Sequence, residues 1–164
     1  MLQEQQFTVD LLADRPDLVE GVATLQWREW GDEPGREQLS WWVAEAARSA
    51  NRTWLPIGFA AATEHGDVLG AISLQQFDPA ERQDLSPWAT GVIVRPDLRS
   101  RGIGAVMMQR LLDWAATAGY EQLWVCTGGR AVRFYERCGF QLHQALPPHG
   151  DERPVILRRA LPRR

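Results

Sequence analysis

The sequence predicts a mixed α/β fold, with a central, mostly antiparallel sheet of about six to seven strands and about four flanking helices. The chain has 164 residues and is 45% hydrophobic, which suits a single domain over residues 1–164 with a sizeable core. Strand-like segments follow one another in the middle of the chain, and one strand–helix–strand unit comes later. That unit requires one parallel crossover, whereas a doubly wound sheet would alternate strands and helices throughout.

The first part of the chain predicts one strand and two helices. Residues 7–12 alternate weakly in polarity, as a strand does. A helix entry at residues 14–16, with an aspartate cap and a proline in the first turn, precedes apolar residues at helical spacing, and Gly31 ends this helix. Pro34 then starts a second helical segment that continues to about Ala50.

Three strands are predicted after these helices. Residues 55–63 and 67–77 have strand character, and the sequence EHGD between them is typical of a hairpin turn. A polar loop over 78–87 separates them from WATGVIV, residues 88–94, whose β-branched content predicts a buried strand.

The last third of the chain contains the crossover. Residues 102–118 predict a helix, and residues 122–127 predict a strand parallel to WATGVIV. A short helix over 130–138 and two strands over 140–143 and 154–160 complete the fold. The long helix is expected to bury Ile103, Val106, Met107, the stem of Arg110, Leu111 and Trp114.

The composition excludes several classes of protein. The net charge of −3 provides no general basic surface, which argues against nucleic-acid binding. All 18 basic residues are arginine, so no lysine can serve as a base or form a Schiff base. Cys126 and Cys138 lack a metal-binding or CxxC spacing, and we expect reduced thiols and no metal site. No signal peptide or membrane-spanning stretch is found, which predicts a cytoplasmic protein that does not bind membranes.

The segment between WATGVIV and the long helix has the properties of an anion site. A helix N-terminus offers free N–H groups and the positive end of the helix dipole. Gly102 and Gly104 remove side chains where a phosphate would approach the backbone. Arg99 and Arg101 add charged donors, so the loop predicts binding of a diphosphate.

Two common glycine-rich phosphate loops do not fit this segment. A Walker A loop needs a lysine, which the chain lacks. A dinucleotide fingerprint needs a third glycine where Met107 stands and an acidic residue where Cys126 and Thr127 stand. The pattern that remains is R-x-x-G-x-G at Arg99, Gly102 and Gly104.

At these residues the chain resembles the GNAT superfamily of N-acetyltransferases, which use acetyl-CoA. VRPDLRSRGIGAVM is similar to the family's [QR]-x-x-G-x-[GA] loop, and AVRFYERCGF is similar to its A-x-x-F-Y-x-x-x-G-F segment. With the order of elements, the resemblance covers the chain from about Leu55 onward. It implies the GNAT fold, acetyl-CoA as cosubstrate and an amine as acceptor.

The resemblance also implies which residues hold the cosubstrate. The strand before the loop would be bulged, which Gly91 tolerates, and its backbone would pair with the pantetheine arm. One of these backbone N–H groups could also bond the thioester oxygen as it gains charge. The implied contacts are Val92, Ile93 and Val94 on the strand, and Arg99, Ser100, Arg101, Gly102, Ile103, Gly104 and Ala105 in the loop and first helical turn.

For the reaction itself, the resemblance implies that Tyr135 is the general acid that protonates the departing thiolate. The base stays open, because WATGVIV lacks the glutamate of many relatives; water relayed from Thr90 and the carboxylate of Asp84 are the two candidates. Gly128 stands where many relatives have an asparagine.

The resemblance also implies that the acceptor site lies at the first helix–helix junction and at the loop before WATGVIV. Both are acidic and have tryptophans nearby, which suits a cationic amine, although loop carboxylates are often solvated and tryptophans often belong to the core. The acidic residues are Glu29, Asp32, Glu33, Glu37, Asp78, Glu81 and Asp84, and the candidate substrate contacts are Trp30, Asp84, Trp88 and Thr90.

Two functions follow. The chain is an enzyme that acetylates a primary amine on a small molecule or on a peptide or protein terminus, or it is an acyl-CoA-binding sensor or catalytically weak regulatory partner. Tyr135 favours the enzyme, and the missing glutamate and asparagine leave the second function open. A homodimer is compatible with the sequence but not required by it.

Overall fold

The computed structural model describes residues 6–163 and confirms the mixed α/β fold. The helices in this range are α1 (Val19–Trp30), α2 (Leu39–Arg48), α3 (Ile103–Thr117) and α4 (Ala131–Arg137). The strands are β1 (Thr8–Leu11), β2 (Ile57–Ala62), β3 (Val68–Gln75), β4 (Trp88–Val94), β5 (Gln122–Thr127), β6 (Gln141–Ala145) and β7 (Val155–Ala160). Over the described part of the chain, no helix has both the length and the apolar character needed to cross a membrane.

The strands form one mixed, seven-stranded sheet in the order β1-β2-β3-β4-β5-β7-β6. The parallel pair is β4 and β5, with Trp88 opposite Trp124, and α3 lies in the connection between these strands. Three strand pairs are antiparallel: β1 with β2, β5 with β7, and β6 with β7. The predicted sheet, with its single parallel crossover, is therefore confirmed.

The chain divides into two compact units. The first comprises residues 6–73 and Gly91–Leu111, and the second comprises Leu74–Thr90 and residues 112–163. The prediction that residues 1–164 form a single domain stays a prediction. In the first unit one cluster of buried apolar side chains consists of Leu12, Leu18, Val22, Ala23, Leu25, Trp42, Ala46, Ala60, Ala62, Ala71 and Ile93. In the second unit a smaller buried cluster consists of Trp88, Trp124, Leu146 and Ile156.

The start of the second helix differs from the prediction. α2 begins at Leu39, whereas the sequence pattern placed its start at Pro34. Gly35 has a φ of 85°, a left-handed conformation that a right-handed helix cannot contain. Turn hydrogen bonds occupy this region instead, including one from the Arg36 N–H to the Glu33 carbonyl at 3.0 Å. The proline and glycine therefore form a turn that precedes the helix.

The buried face of α3 also differs in one position. Val106 is 48% exposed, whereas Met107, Met108 and Leu111 are fully buried. The predicted burial of Val106 is wrong because the buried face is centred on the adjacent residues 107 and 108 and continues one turn later at Leu111. A 3-10 helix at Pro16–Leu18 lies where the sequence predicted the entry of the first helix, and the sequence pattern missed two further 3-10 helices, at Ala80–Arg82 and Pro96–Leu98.

Candidate active site

The R-x-x-G-x-G motif, which begins at Arg99, forms the last part of the connection between β4 and α3 and the first turn of α3. The Arg95 N–H bonds the Leu69 carbonyl at 2.8 Å, and the chain then enters the 3-10 helix Pro96–Leu98. Leu98 is buried and anchors this turn. The loop therefore begins and ends on fixed structure, which holds its backbone in place without a long flexible segment.

Gly102 provides an open surface at the N-terminus of α3. Its φ of 87° lies in the left-handed region, and no described atom would lie within 4 Å of a Cβ at this position. The Val106 N–H bonds the Gly102 carbonyl at 3.1 Å, which makes this the first bond of the helix. The N–H groups of residues 103–105 precede that bond and have no partner inside the helix. An anion can therefore approach three backbone donors here.

Ser100 contributes to the same turn. It has a φ of 64°, and it is the non-glycine residue for which the structure gives a positive φ within residues 6–163. A left-handed conformation at a residue with a Cβ costs about 1–3 kcal/mol and persists where the surroundings require it. The loop is therefore strained at Ser100, in the segment that the sequence assigns to diphosphate binding.

Arg95 and Arg99 differ in how far their side chains are available to bind a ligand. Arg95 donates two hydrogen bonds to the carboxylate of Asp97, at 2.9 and 2.7 Å, and these bonds lower the pKa of Asp97 below its usual value. Arg99 donates from Nε to the Val94 carbonyl at 3.2 Å, and its Nη2 lies 3.4 Å from Oε2 of Glu29. Arg95 is thus engaged within its own turn, whereas half of the Arg99 side chain is exposed to solvent.

β4 is distorted before the loop. Gly91 has a φ of 61°, which does not occur in a regular strand, so the distortion expected in WATGVIV is present at this residue. A Cβ at this position would lie 3.1 Å from Nε2 of Gln26. The Ile93 side chain is buried in the core, and the Val94 carbonyl accepts the bond from Arg99. That the backbone of Val92–Val94 binds the cosubstrate stays a prediction.

Tyr135 lies on α4, in the second unit, and is 7% exposed. Its ring packs edge-on against Phe134 and Phe140, with centroids 5.1 and 5.7 Å away. The pKa of the Tyr135 hydroxyl is raised above its ordinary value, mainly by burial and to a smaller extent by the charges of Cys138 and Asp78. The hydroxyl therefore keeps its proton at neutral and moderately alkaline pH, which a general acid requires, but the same raised pKa makes it donate that proton less readily.

Asp84 is held by Arg82 in the loop before β4. The Arg82 guanidinium donates two hydrogen bonds to the Asp84 carboxylate, each 2.9 Å long, and it also bonds Gln144 on β6. The bonds from Arg82 hold the pKa of Asp84 below its usual range. A carboxylate with a lowered pKa accepts a proton less readily, so this geometry weakens Asp84 as a base.

The tryptophans predicted to contact the acceptor have different surroundings. Trp88 is 0% exposed, and its indole N–H bonds the Leu85 carbonyl at 2.7 Å, so its burial favours a role in the core. Trp30 is partly buried and stacks on Trp42, with ring centroids 6.2 Å apart. Next to Trp42 lies Trp41, which is not one of the predicted contacts, and the Arg36 guanidinium is 4.9 Å from the centre of its ring. The Trp41 ring is therefore already in contact with a cation of the chain itself.

Gly128, which stands where many relatives have an asparagine, is closely packed. A Cβ at this position would lie 3.1 Å from the carbonyl oxygen of Arg153. The neighbouring residue Thr127 pairs with Val155 in the β5–β7 ladder, which brings the chain before β7 close to residue 128. A side chain at residue 128 would therefore need the Arg153 carbonyl to shift slightly, a contact that the sequence alone does not reveal.

Both cysteines are free thiols and are partly buried. Burial, and then the charges of Asp78 and Glu81, raise the pKa of the Cys126 thiol from 9.0 to about 11. Because the folded state holds this proton more tightly than the unfolded chain, the associated stability is present below pH 9 and is lost as the pH rises towards 11.

Replacement of Cys126 by alanine should therefore flatten the dependence of stability on pH. We expect the wild-type free energy of unfolding to fall more steeply than that of Cys126→Ala between pH 9 and 11. Urea denaturation at a series of pH values measures both curves. Parallel curves would contradict a raised pKa at Cys126.

Comparison with solved structures shows that this fold is shared with N-acetyltransferases. The protein is similar to an aminoglycoside 6′-N-acetyltransferase complexed with coenzyme A, with a TM-score of 0.76 at 16% identity over 96% of this chain and 99% of that one. It is also similar to an aminoglycoside 6′-acetyltransferase type Ii, with a TM-score of 0.74 at 18% identity over 96% of this chain and 99% of that one. For Ard1 from Thermoplasma volcanium the TM-score is 0.71 at 15% identity, over 95% of this chain and 98% of that one.

These structures show the shared fold, and the class of protein is shown by a match in sequence to a family of acyltransferases. The chain belongs to the acetyltransferase (GNAT) family, whose model matches residues 17–140. This confirms the resemblance seen in the two sequence blocks. Among functionally curated proteins, no sequence matches this chain.

Proposed function

We propose that this protein transfers the acetyl group of acetyl-CoA to a primary amine, on a small molecule or on a peptide or protein terminus. The observation that carries the proposal is the open, left-handed turn at Gly102, directly before the free N–H groups of α3. The coenzyme A bound by a structural relative of the same fold supports it.

The residues of the loop fit the diphosphate of the cosubstrate. The backbone N–H groups of Ile103, Gly104 and Ala105 supply donors at the positive end of α3, and Arg99 and Arg101 supply positive charge. A side chain larger than hydrogen at residue 102 would fill the space that the phosphates need, and the left-handed φ there already excludes most other residues. Backbone groups of Val92–Val94 are the proposed partners of the pantetheine arm.

The proposed reaction is a direct transfer. Acetyl-CoA supplies an activated acetyl thioester. The nitrogen of the neutral amine forms a bond to the acetyl carbon, the C–S bond breaks, and the sulfur leaves with the electron pair. Tyr135 donates its proton to this sulfur and is reprotonated from solvent, while the attacking nitrogen releases a proton to a base.

The amine must also lose a proton before it attacks, because a lysine-type amine has a pKa of about 10.4 and is mostly protonated in neutral water. A base or water can take this proton as well as the one released on transfer. Asp84 is a weak candidate, because hydrogen bonds from Arg82 lower its pKa. Water held at Thr90, which is partly exposed on β4, is therefore the favoured alternative. Bulk solvent can accept the proton from such a water.

The decisive experiment follows free thiol while the protein is incubated with acetyl-CoA and a panel of amines. Thiol release that depends on an added amine, together with an acetylated product of the correct mass, would support the enzyme. Tight binding of coenzyme A without amine-dependent release would favour an acyl-CoA sensor. The absence of any binding would contradict both functions.

A further inference from the structure

An ion pair joins the proposed cosubstrate loop to helix α1. Oε2 of Glu29 lies 3.4 Å from Nη2 of Arg99, and both residues belong to the first compact unit. The Glu29 side chain is 38% exposed and that of Arg99 is 50% exposed. The Nε of Arg99 is bonded to the Val94 carbonyl, so the guanidinium is fixed by the backbone on one edge and by a carboxylate on another.

Glu29 occupies a position where a negative charge does not help its own helix. It is the penultimate residue of α1, which ends at Trp30, and the C-terminal end of a helix carries partial negative charge. Its favourable contact is therefore the one with Arg99. Other glutamates of this unit pair locally instead, as Glu45 does with Arg48 three residues later on α2.

A carboxylate beside Arg99 opposes an incoming diphosphate in two ways. It occupies a donor of the guanidinium that the phosphates would use, and its charge has the same sign as theirs. Because the ion pair is half exposed, water screens it, and its contribution is small compared with that of a buried pair. The effect on affinity is expected to be modest and sensitive to salt.

We infer that Glu29 competes with the diphosphate of coenzyme A for Arg99 and thereby weakens cosubstrate binding, which favours release of the product coenzyme A. The inference rests on the proposed function, because it assigns Arg99 to that diphosphate. It identifies Glu29 as a residue that tunes affinity from outside the motif.

The test compares Glu29→Gln with wild type by titration calorimetry with coenzyme A. Glutamine keeps an oxygen that can accept the bond from Arg99 and removes only the charge. We expect coenzyme A to bind about two- to fivefold more tightly to Glu29→Gln at low salt, with the difference disappearing at about 1 M salt. Glu45→Gln is the matched control, since it removes one charge from a similarly exposed glutamate–arginine pair, and its affinity should equal that of wild type.

The outcomes separate this inference from the proposed function. If wild type binds coenzyme A and Glu29→Gln binds it equally or more weakly, the competition by Glu29 is refuted and the acetyltransferase proposal stands. If wild type shows no binding of coenzyme A, both fail. A loss of affinity in Glu29→Gln would show that the carboxylate orients Arg99 and does not compete for it.

Discussion

Replacing Tyr135 by phenylalanine is expected to lower the turnover number for amine acetylation about hundredfold, with little change in the affinity for coenzyme A. The hydroxyl is the proposed proton donor to the departing sulfur, and phenylalanine removes that hydroxyl alone. The ring would still pack against Phe134 and Phe140, so the fold should be preserved. Steady-state kinetics with a saturating amine, together with calorimetry for coenzyme A, measures the two quantities.

The other tyrosine of the chain provides the control. Tyr120 packs against Trp114, with ring centroids 6.3 Å apart, and has no assigned role in the reaction. Tyr120→Phe should keep wild-type turnover. Because burial raises the pKa of Tyr135, wild-type turnover should also show no loss from tyrosine ionisation as the pH rises through about 10. Equal turnover in Tyr135→Phe and wild type would remove Tyr135 from the mechanism.

The second large effect is expected in the loop before α3. The double variant Arg99→Gln and Arg101→Gln should bind coenzyme A about ten- to a hundredfold more weakly, because it removes two charged donors from the diphosphate site. Calorimetry at several salt concentrations should also show a weaker dependence on salt, since fewer charges interact with the phosphates.

A matched variant separates this local effect from a change in overall charge. Arg48 and Arg137 lie in the last turns of α2 and α4, outside the loop. Arg48→Gln combined with Arg137→Gln removes the same total charge and should leave the affinity for coenzyme A near that of wild type. If both double variants lost affinity equally, general electrostatic attraction would explain the binding and the loop assignment would be wrong.

The fold was predicted best where sequence signals are local and strong. β4 and β5 have the bounds that their apolar, β-branched sequences predicted, and Gly31 and Gly119 follow α1 and α3 as expected helix ends. The start of α2 was misplaced because a proline suits both a turn and the first turn of a helix. The left-handed φ of Gly35 shows that this proline belongs to a turn. The sequence alone shows only that a glycine can adopt such a φ.

The site was predictable only in part, because some of its residues are close together in the sequence and others meet only in the folded chain. The loop arginines and glycines lie close together in the sequence, so their chemistry could be recognised as one motif. The partner of Arg99 could not be predicted, because Glu29 is 70 positions away in the sequence. The pairing of Asp84 with Arg82 spans two residues, yet their attraction depends on side-chain directions that a loop sequence does not define.

The tight contact at Gly128 limits how this protein can diverge. An asparagine introduced there would place its Cβ 3.1 Å from the Arg153 carbonyl oxygen, so the backbone leading into β7 would have to give way slightly. Whether an amide fits at residue 128 thus depends on how far residues 146–154 can yield.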